Sequence, residues 1–133
     1  MYMENKSLPP ADSYRPRIFA AGIHLLALLT WIIGPLVVMW LSQSDYLKEH
    51  ARHAANWQLT FGIGMYTAGF FSGIAIIFSD FRPAIWGPII GLIMLGGTLL
   101  FTAVAVVRAL QGKVWEYPVA FRIKETTSVS RTF

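Results

Sequence analysis

Three uncharged apolar runs decide what this chain folds into. Ile18 to Leu41, Trp57 to Phe78 and Ile85 to Val107 contain no Asp, Glu, Lys or Arg. As helices they would measure about 36, 33 and 35 Å at 1.5 Å per residue, against a hydrocarbon core of about 30 Å. Only helices and closed barrels satisfy their own backbone groups in lipid, so runs of this length read as helices. The low charge agrees: 14% of residues are charged and 55% are hydrophobic, whereas a soluble domain carries about 25% charge. The expected fold class is all-α, an integral membrane protein with three transmembrane helices at 18–41, 57–78 and 85–107. The first run exceeds the apolar core of a signal peptide, about 7–15 residues, and is expected to be retained.

At 133 residues the chain has room for one domain, read as a three-span membrane domain over 17–124. Residues 1–16 and 125–133 are expected to be disordered tails. There is no cysteine, which excludes disulfides, thiolate metal sites and palmitoylation. The net charge is +4. The basic residues flank apolar runs, so the expected partner is anionic lipid on the cytoplasmic face rather than nucleic acid.

Local signals refine the spans. Pro35 cannot donate to the Trp31 carbonyl, which predicts a bend in the first helix. Ser44 or Asp45 is positioned to cap a helix starting near Tyr46, giving the second span an amphipathic helical lead-in. Gly64, Ala68 and Ser72 form a row of small residues, and so do Gly69 and Gly73. Gly87 and Gly91 repeat the spacing in the third span. Such rows let helix backbones approach closely in lipid. Ser79 to Pro83 is too short for anything but a hairpin turn. Arg108 suits a helix C-terminus at the interface, and Gly112 a left-handed cap. Beyond it, Trp115 and Tyr117 alternate with Glu116 and precede Pro118. That period of two predicts an extended interfacial segment lying on the membrane surface, its aromatics toward lipid or the bundle.

Three spans would put the two termini on opposite sides. The side holding Lys48, Arg52, Arg108, Lys113, Arg122, Lys124 and Arg131 is the more basic, which predicts a cytoplasmic C-terminus and an external N-terminus.

The densest polar stretch runs from His50 to Phe61. On a helix Glu49, Arg52, His53, Asn56 and Thr60 fall on one stripe, with His50 and Gln58 toward the other side. His50, Arg52, His53, Asn56 and Gln58 are therefore a candidate polar seam, serving either structure or interaction. Carboxamides in such a seam bond across helices at about 0.6 kcal/mol each. A metal site is disfavoured, since zinc helices present histidines four apart and Arg52 repels a cation. His24 lies inside the first run; near the interface a neutral, hydrogen-bonded imidazole is the expected role. No catalytic triad, carboxylate pair or phosphate-binding loop is present. The spans carry no acid or base for ion coupling. Neither cofactor nor metal is expected, and enzymatic activity is not.

Three stretches together carry a resemblance: His24 to Leu29 with Gly34-Pro35, Leu47 to Gln58, and Arg108 to Pro118. They resemble a widespread prokaryotic family of small membrane proteins without an assigned function, distantly similar to the twenty-kilodalton subunit of the chloroplast inner-envelope protein translocon. The resemblance covers Arg17 to Lys124 and implies a bacterial or archaeal cell membrane. The expected role is that of a subunit or scaffold, forming a homo-oligomer or joining another membrane protein. Two others are an oligomeric pore or translocation component, as the plastid relative suggests, and an enzyme-accessory or lipid-binding protein.

Overall fold

The computed structural model describes residues 14–78 and 81–120. Five helices follow one another: α1 (Tyr14–Thr30), α2 (Ile33–Leu41), α3 (Asp45–Ile77), α4 (Phe81–Ala84) and α5 (Trp86–Leu110). No strand occurs among the described residues. The expected tails fall mostly outside them, as do Ser79 and Asp80. Tyr14 to Pro16, expected in the tail, already belong to α1.

The first apolar run does not form the single spanning helix expected over 18–41. It breaks at Trp31-Ile32, upstream of the bend expected from Pro35. Trp31 takes a left-handed conformation (φ 55°), which L-residues adopt at a cost of about 1–3 kcal/mol. Three contacts hold it there. The Trp31 indole N–H donates to the Gln58 carbonyl at 2.9 Å. Thr30 Oγ1 donates back to the Leu26 carbonyl at 2.8 Å and accepts from the Gly34 N–H at 3.1 Å. Gly62 leaves a space that the Trp31 ring fills. Pro35 then lies in the first turn of α2, where its missing donor is harmless.

The chain reverses at this break. His24 and Ala27 of α1 meet His50 and Ala54 of α3, and Trp31 meets Gln58, so α1 ascends beside α3. Val38 and Met39 of α2 pack back against Ile23, Ala27, Ala51 and Ala54. The α1–α2 pair is thus a helical hairpin that ends where α3 begins. Among the described residues, only α3 and the α4–α5 segment are long and apolar enough to cross a membrane.

The other elements follow their local signals. Ser44 caps α3, its Oγ accepting from the Leu47 N–H at 3.5 Å. Pro88 lies in the first turn of α5. At the far end, the Gly112 N–H bonds the Ala109 carbonyl and the Lys113 N–H bonds the Arg108 carbonyl, both at 2.9 Å. With Gly112 at φ 75° this is a Schellman cap.

The two halves of the molecule differ. Ala20, Ala21, Tyr46 and Ala109 form one buried cluster, and Trp57, Ala105 and Tyr117 another. Both lie at the end where α1, α2, α3 and α5 meet. Farther along, α3 packs against α5 and α4. Gly64 faces Met94, and Gly87 sits against Ser72 and the Ala68 carbonyl. The Ser72 hydroxyl donates to the Ala84 carbonyl. One row of small residues therefore closes this second hairpin. Gly69 and Gly73 face open space.

The N-terminal end of α1 and the C-terminal end of α5 are neighbours. Arg17 lies against Gly112, and Ala20 packs with Tyr46 and Ala109. The start of α1 and the end of α5 therefore lie at one end of the bundle, because the reversal at Trp31 turns the chain back toward its starting end.

Candidate functional site: a buried His–His–Tyr cluster

The polar seam read from the sequence is an interior feature. His50, His53, Asn56 and Gln58 are all buried, and Arg52 is half-buried. The N-terminal part of α3 is enclosed by α1, α2 and α5, so both of its polar sides are covered. Arg52 and His53 share one partner, Glu49 Oε1, with His53 Nε2 at 3.1 Å. His50 turns instead toward α1. The two histidines three apart thus do separate work. No group of three His, Asp or Glu side chains arranged for a metal occurs among the described residues.

The centre of the cluster is His24. Its Nε2 lies 3.1 Å from His50 Nδ1, and its Nδ1 lies 3.1 Å from the Tyr117 hydroxyl. All three side chains are buried. One imidazole therefore ties α1 to α3 and to the segment after α5. Burial raises the pKa of the Tyr117 phenol, an effect opposed by a hydrogen bond with Thr102. The phenol stays neutral and keeps its proton to donate.

A neutral imidazole has one donor and one acceptor nitrogen. If Tyr117 donates to His24 Nδ1, then His24 Nε2–H donates to His50 Nδ1, and His50 Nε2 carries a proton. The reverse arrangement leaves His50 Nε2 with a bare lone pair. In both, that atom is buried without a hydrogen-bond partner among the described residues. Two imidazolium rings have no acceptor nitrogen, so a second proton on the pair breaks the bond between them.

Aromatic packing seals the cluster. Trp57 stacks on Tyr117, with centroids 5.2 Å apart and planes within 5°. Trp115 and Phe101 close the other sides. The Tyr46 ring meets His50 edge-on at 4.6 Å, and its hydroxyl donates to the Ala109 carbonyl at 3.4 Å. In the segment expected at the membrane surface with its aromatics toward lipid or the bundle, Tyr117 turns into the bundle, while Pro118 stays exposed and Trp115 half-buried. Arg108 is exposed beside it. The sequence suggests a backbone carbonyl as the partner of His24, where the structure supplies His50 and Tyr117, and it does not mark Tyr46, Trp57, Phe101 or Thr102 as site residues. Their only signal was chemical: aromatic and hydroxyl groups flanking otherwise apolar helices.

A family model matches residues 15–124, that of the MamF/MmsF magnetosome magnetite crystal formation protein family. The chain belongs to this family. No curated protein and no solved structure matches it, and nothing in these comparisons bears on the resemblance to the plastid translocon. The MamF/MmsF match covers all three elements that meet at His24, so the buried cluster lies within the family's domain. Membership and the two apolar helices place the chain in a bacterial membrane, as a magnetosome-associated membrane protein.

Proposed function

We propose that this MamF/MmsF protein is a non-enzymatic scaffold of the magnetosome membrane, contributing to magnetite crystal formation by assembling with other copies or with a second membrane protein. The observation that carries this reading is the apolar α3–α5 hairpin with its open Gly69 and Gly73. The polar groups of the cluster bond to one another or lie buried, and the groove of about 480 Å³ between α3 and α5 is lined by Phe61, Met65, Gly91, Leu92 and similar residues. A surface of this kind offers contacts to lipid and to other helices. Small residues at four-residue spacing are the pattern through which membrane helices associate.

Leucines replacing Gly69 and Gly73 are expected to shift the protein from a discrete complex to monomer on native-size analysis in mild detergent. Stability should change little, because both positions face open space. Gly87→Leu should instead loosen the hairpin itself, since its neighbours leave no room. If the Gly69 and Gly73 variants migrate with the parent protein, assembly does not use this face.

We also propose a topology of two crossings, with α1–α2 as a re-entrant hairpin and the start of α1 and the end of α5 on one side. Arg15, Arg17, Lys48, Arg52, Arg108 and Lys113 then share one end, and Arg82 stands at the other. The positive-inside rule assigns the shared end to the cytoplasm. With no native cysteine, Tyr14→Cys and Gln111→Cys are expected to react with an impermeant maleimide only from the cytoplasmic face, and Phe81→Cys only from the opposite one. Labelling of Tyr14→Cys and Gln111→Cys from opposite faces restores three crossings.

A further inference from the structure

The packed end and the open end of the molecule have different widths. At the level of His50 to Gln58 the cross-section contains α1, α2, α3 and α5. At the level of Ile63 to Ile77 it contains α3, α5 and the single turn of α4. A helix about 10 Å across occupies about 80 Å², so the packed end is wider by roughly 160 Å².

The surface of the wide end is apolar. Ile18, Phe19, Leu25 and Leu29 of α1 are exposed, as are Ile33, Val37 and Trp40 of α2. No charge occurs from Ile18 to Leu41. Water does not tolerate a continuous apolar face of this size on a soluble surface. Depth is set by α3. Its 33 residues span about 50 Å, slightly more than the full bilayer thickness of about 40–45 Å with headgroups, which a tilt accommodates. The base of α3 lies at one headgroup layer, and Trp31, level with Gln58, reaches only into the acyl region of that leaflet. Arg15, Arg17, Lys48, Arg108 and Lys113 stand at the base, where anionic headgroups complement them.

We propose that α1–α2 is a wedge in one leaflet, and that the protein prefers a bilayer that is convex on the side carrying its termini. The occupant of the exposed α1–α2 face is lipid. Extra protein area in one leaflet and not the other is relieved when that leaflet is the outer, expanded one of a small vesicle. A cytoplasmic wide end therefore favours membrane that bulges toward the cytoplasm. This inference rests on the two-crossing topology proposed above.

The test uses full-length Gln111→Cys protein reconstituted into phosphatidylcholine–phosphatidylglycerol vesicles. Impermeant maleimide added before and after permeabilisation counts molecules with the wide end outward and inward. The outward-to-inward ratio is expected to rise at least about twofold as vesicle diameter falls from about 400 to about 50 nm, because interfacial insertion is sensitive to curvature. Combining Leu36→Ser, Val37→Ser and Trp40→Ser, all on the exposed side of α2, should abolish the dependence while α3 and α5 remain inserted. A ratio independent of diameter overturns the wedge, as does an undiminished dependence in the triple variant. Tyr14→Cys run in parallel separates the two readings. Labelling opposite to Gln111→Cys defeats the topology, whereas matching labels with a flat ratio defeat only the wedge.

Discussion

His24→Leu is expected to lower the stability of the folded protein by about 2–4 kcal/mol, measured by unfolding in mixed detergent micelles. The substitution is close in volume and suits an apolar helix, so packing alone predicts little loss. The loss comes from what His24 leaves behind. His50 Nδ1 loses its partner at 3.1 Å and is stranded at a cost of about 1–3 kcal/mol, while the Tyr117 hydroxyl loses one hydrogen bond, worth about 1 kcal/mol, and keeps Thr102. His50 then has neither nitrogen bonded, because its Nε2 has no partner to begin with. Tyr117→Phe should cost less, about 1 kcal/mol, since it removes a donor and strands one His24 nitrogen. The double variant should be less unstable than the sum, because both substitutions remove the same bond between His24 and Tyr117. Strict additivity would mean the three side chains are neighbours without being a network. Acid should resemble the His24 substitution: with both rings protonated, neither offers an acceptor, and the bond between α1 and α3 is lost as pH falls.

Much of this fold is legible in the sequence, and the illegible part has one cause. The uncharged runs, the Ser44 cap, the Gly112 cap and the hairpin around Arg82 all depend on neighbours within a few residues. Their physics is local, and reading them needs only the chain. The reversal at Trp31 depends instead on a contact across 27 residues, where an indole donates to the Gln58 carbonyl. A run of apolar residues long enough to cross a bilayer fits equally a straight helix and one folded on itself. Gly34-Pro35 marks a weak point but not a fold-back. The same limit explains the cluster. His50 was visible as a polar group in need of a partner, but that partner, His24, comes from α1, and the other partner of His24, Tyr117, comes from beyond α5. Period-two alternation correctly grouped Trp115 with Tyr117, and it did not say that this face points inward. The small-residue rows show the distinction again. Sequence gives Gly64–Ala68 and Gly69–Gly73 equal standing, and only the position of α5 separates the closed row from the open one.

The sign of the Gly62→Ala effect reports on the α1–α2 hairpin. At an open helical position alanine is better than glycine by about 1 kcal/mol. Gly22, in α1, has nothing within 4 Å of where a methyl would stand, so Gly22→Ala should be neutral or stabilising. A methyl on Gly62 collides with the Trp31 ring, whose Cε2 would lie at 3.2 Å with the ring's outer edge closer still. The ring cannot retreat freely. Its N–H is bonded to the Gln58 carbonyl, and its backbone is already left-handed. Overpacking of this kind costs about 1–3 kcal/mol, and loss of the indole bond adds about 1. Gly62→Ala is thus expected to destabilise by about 2–4 kcal/mol, opposite in sign to Gly22→Ala. Adding Trp31→Gly removes the ring and suits the left-handed backbone, so the double variant should recover part of the loss. Failure to recover would place the damage of Gly62→Ala within α3. In the single variant, release of the apex should also make a cysteine at Leu36 react faster with a water-soluble maleimide, because α2 no longer has Trp31 to hold its turn against α3.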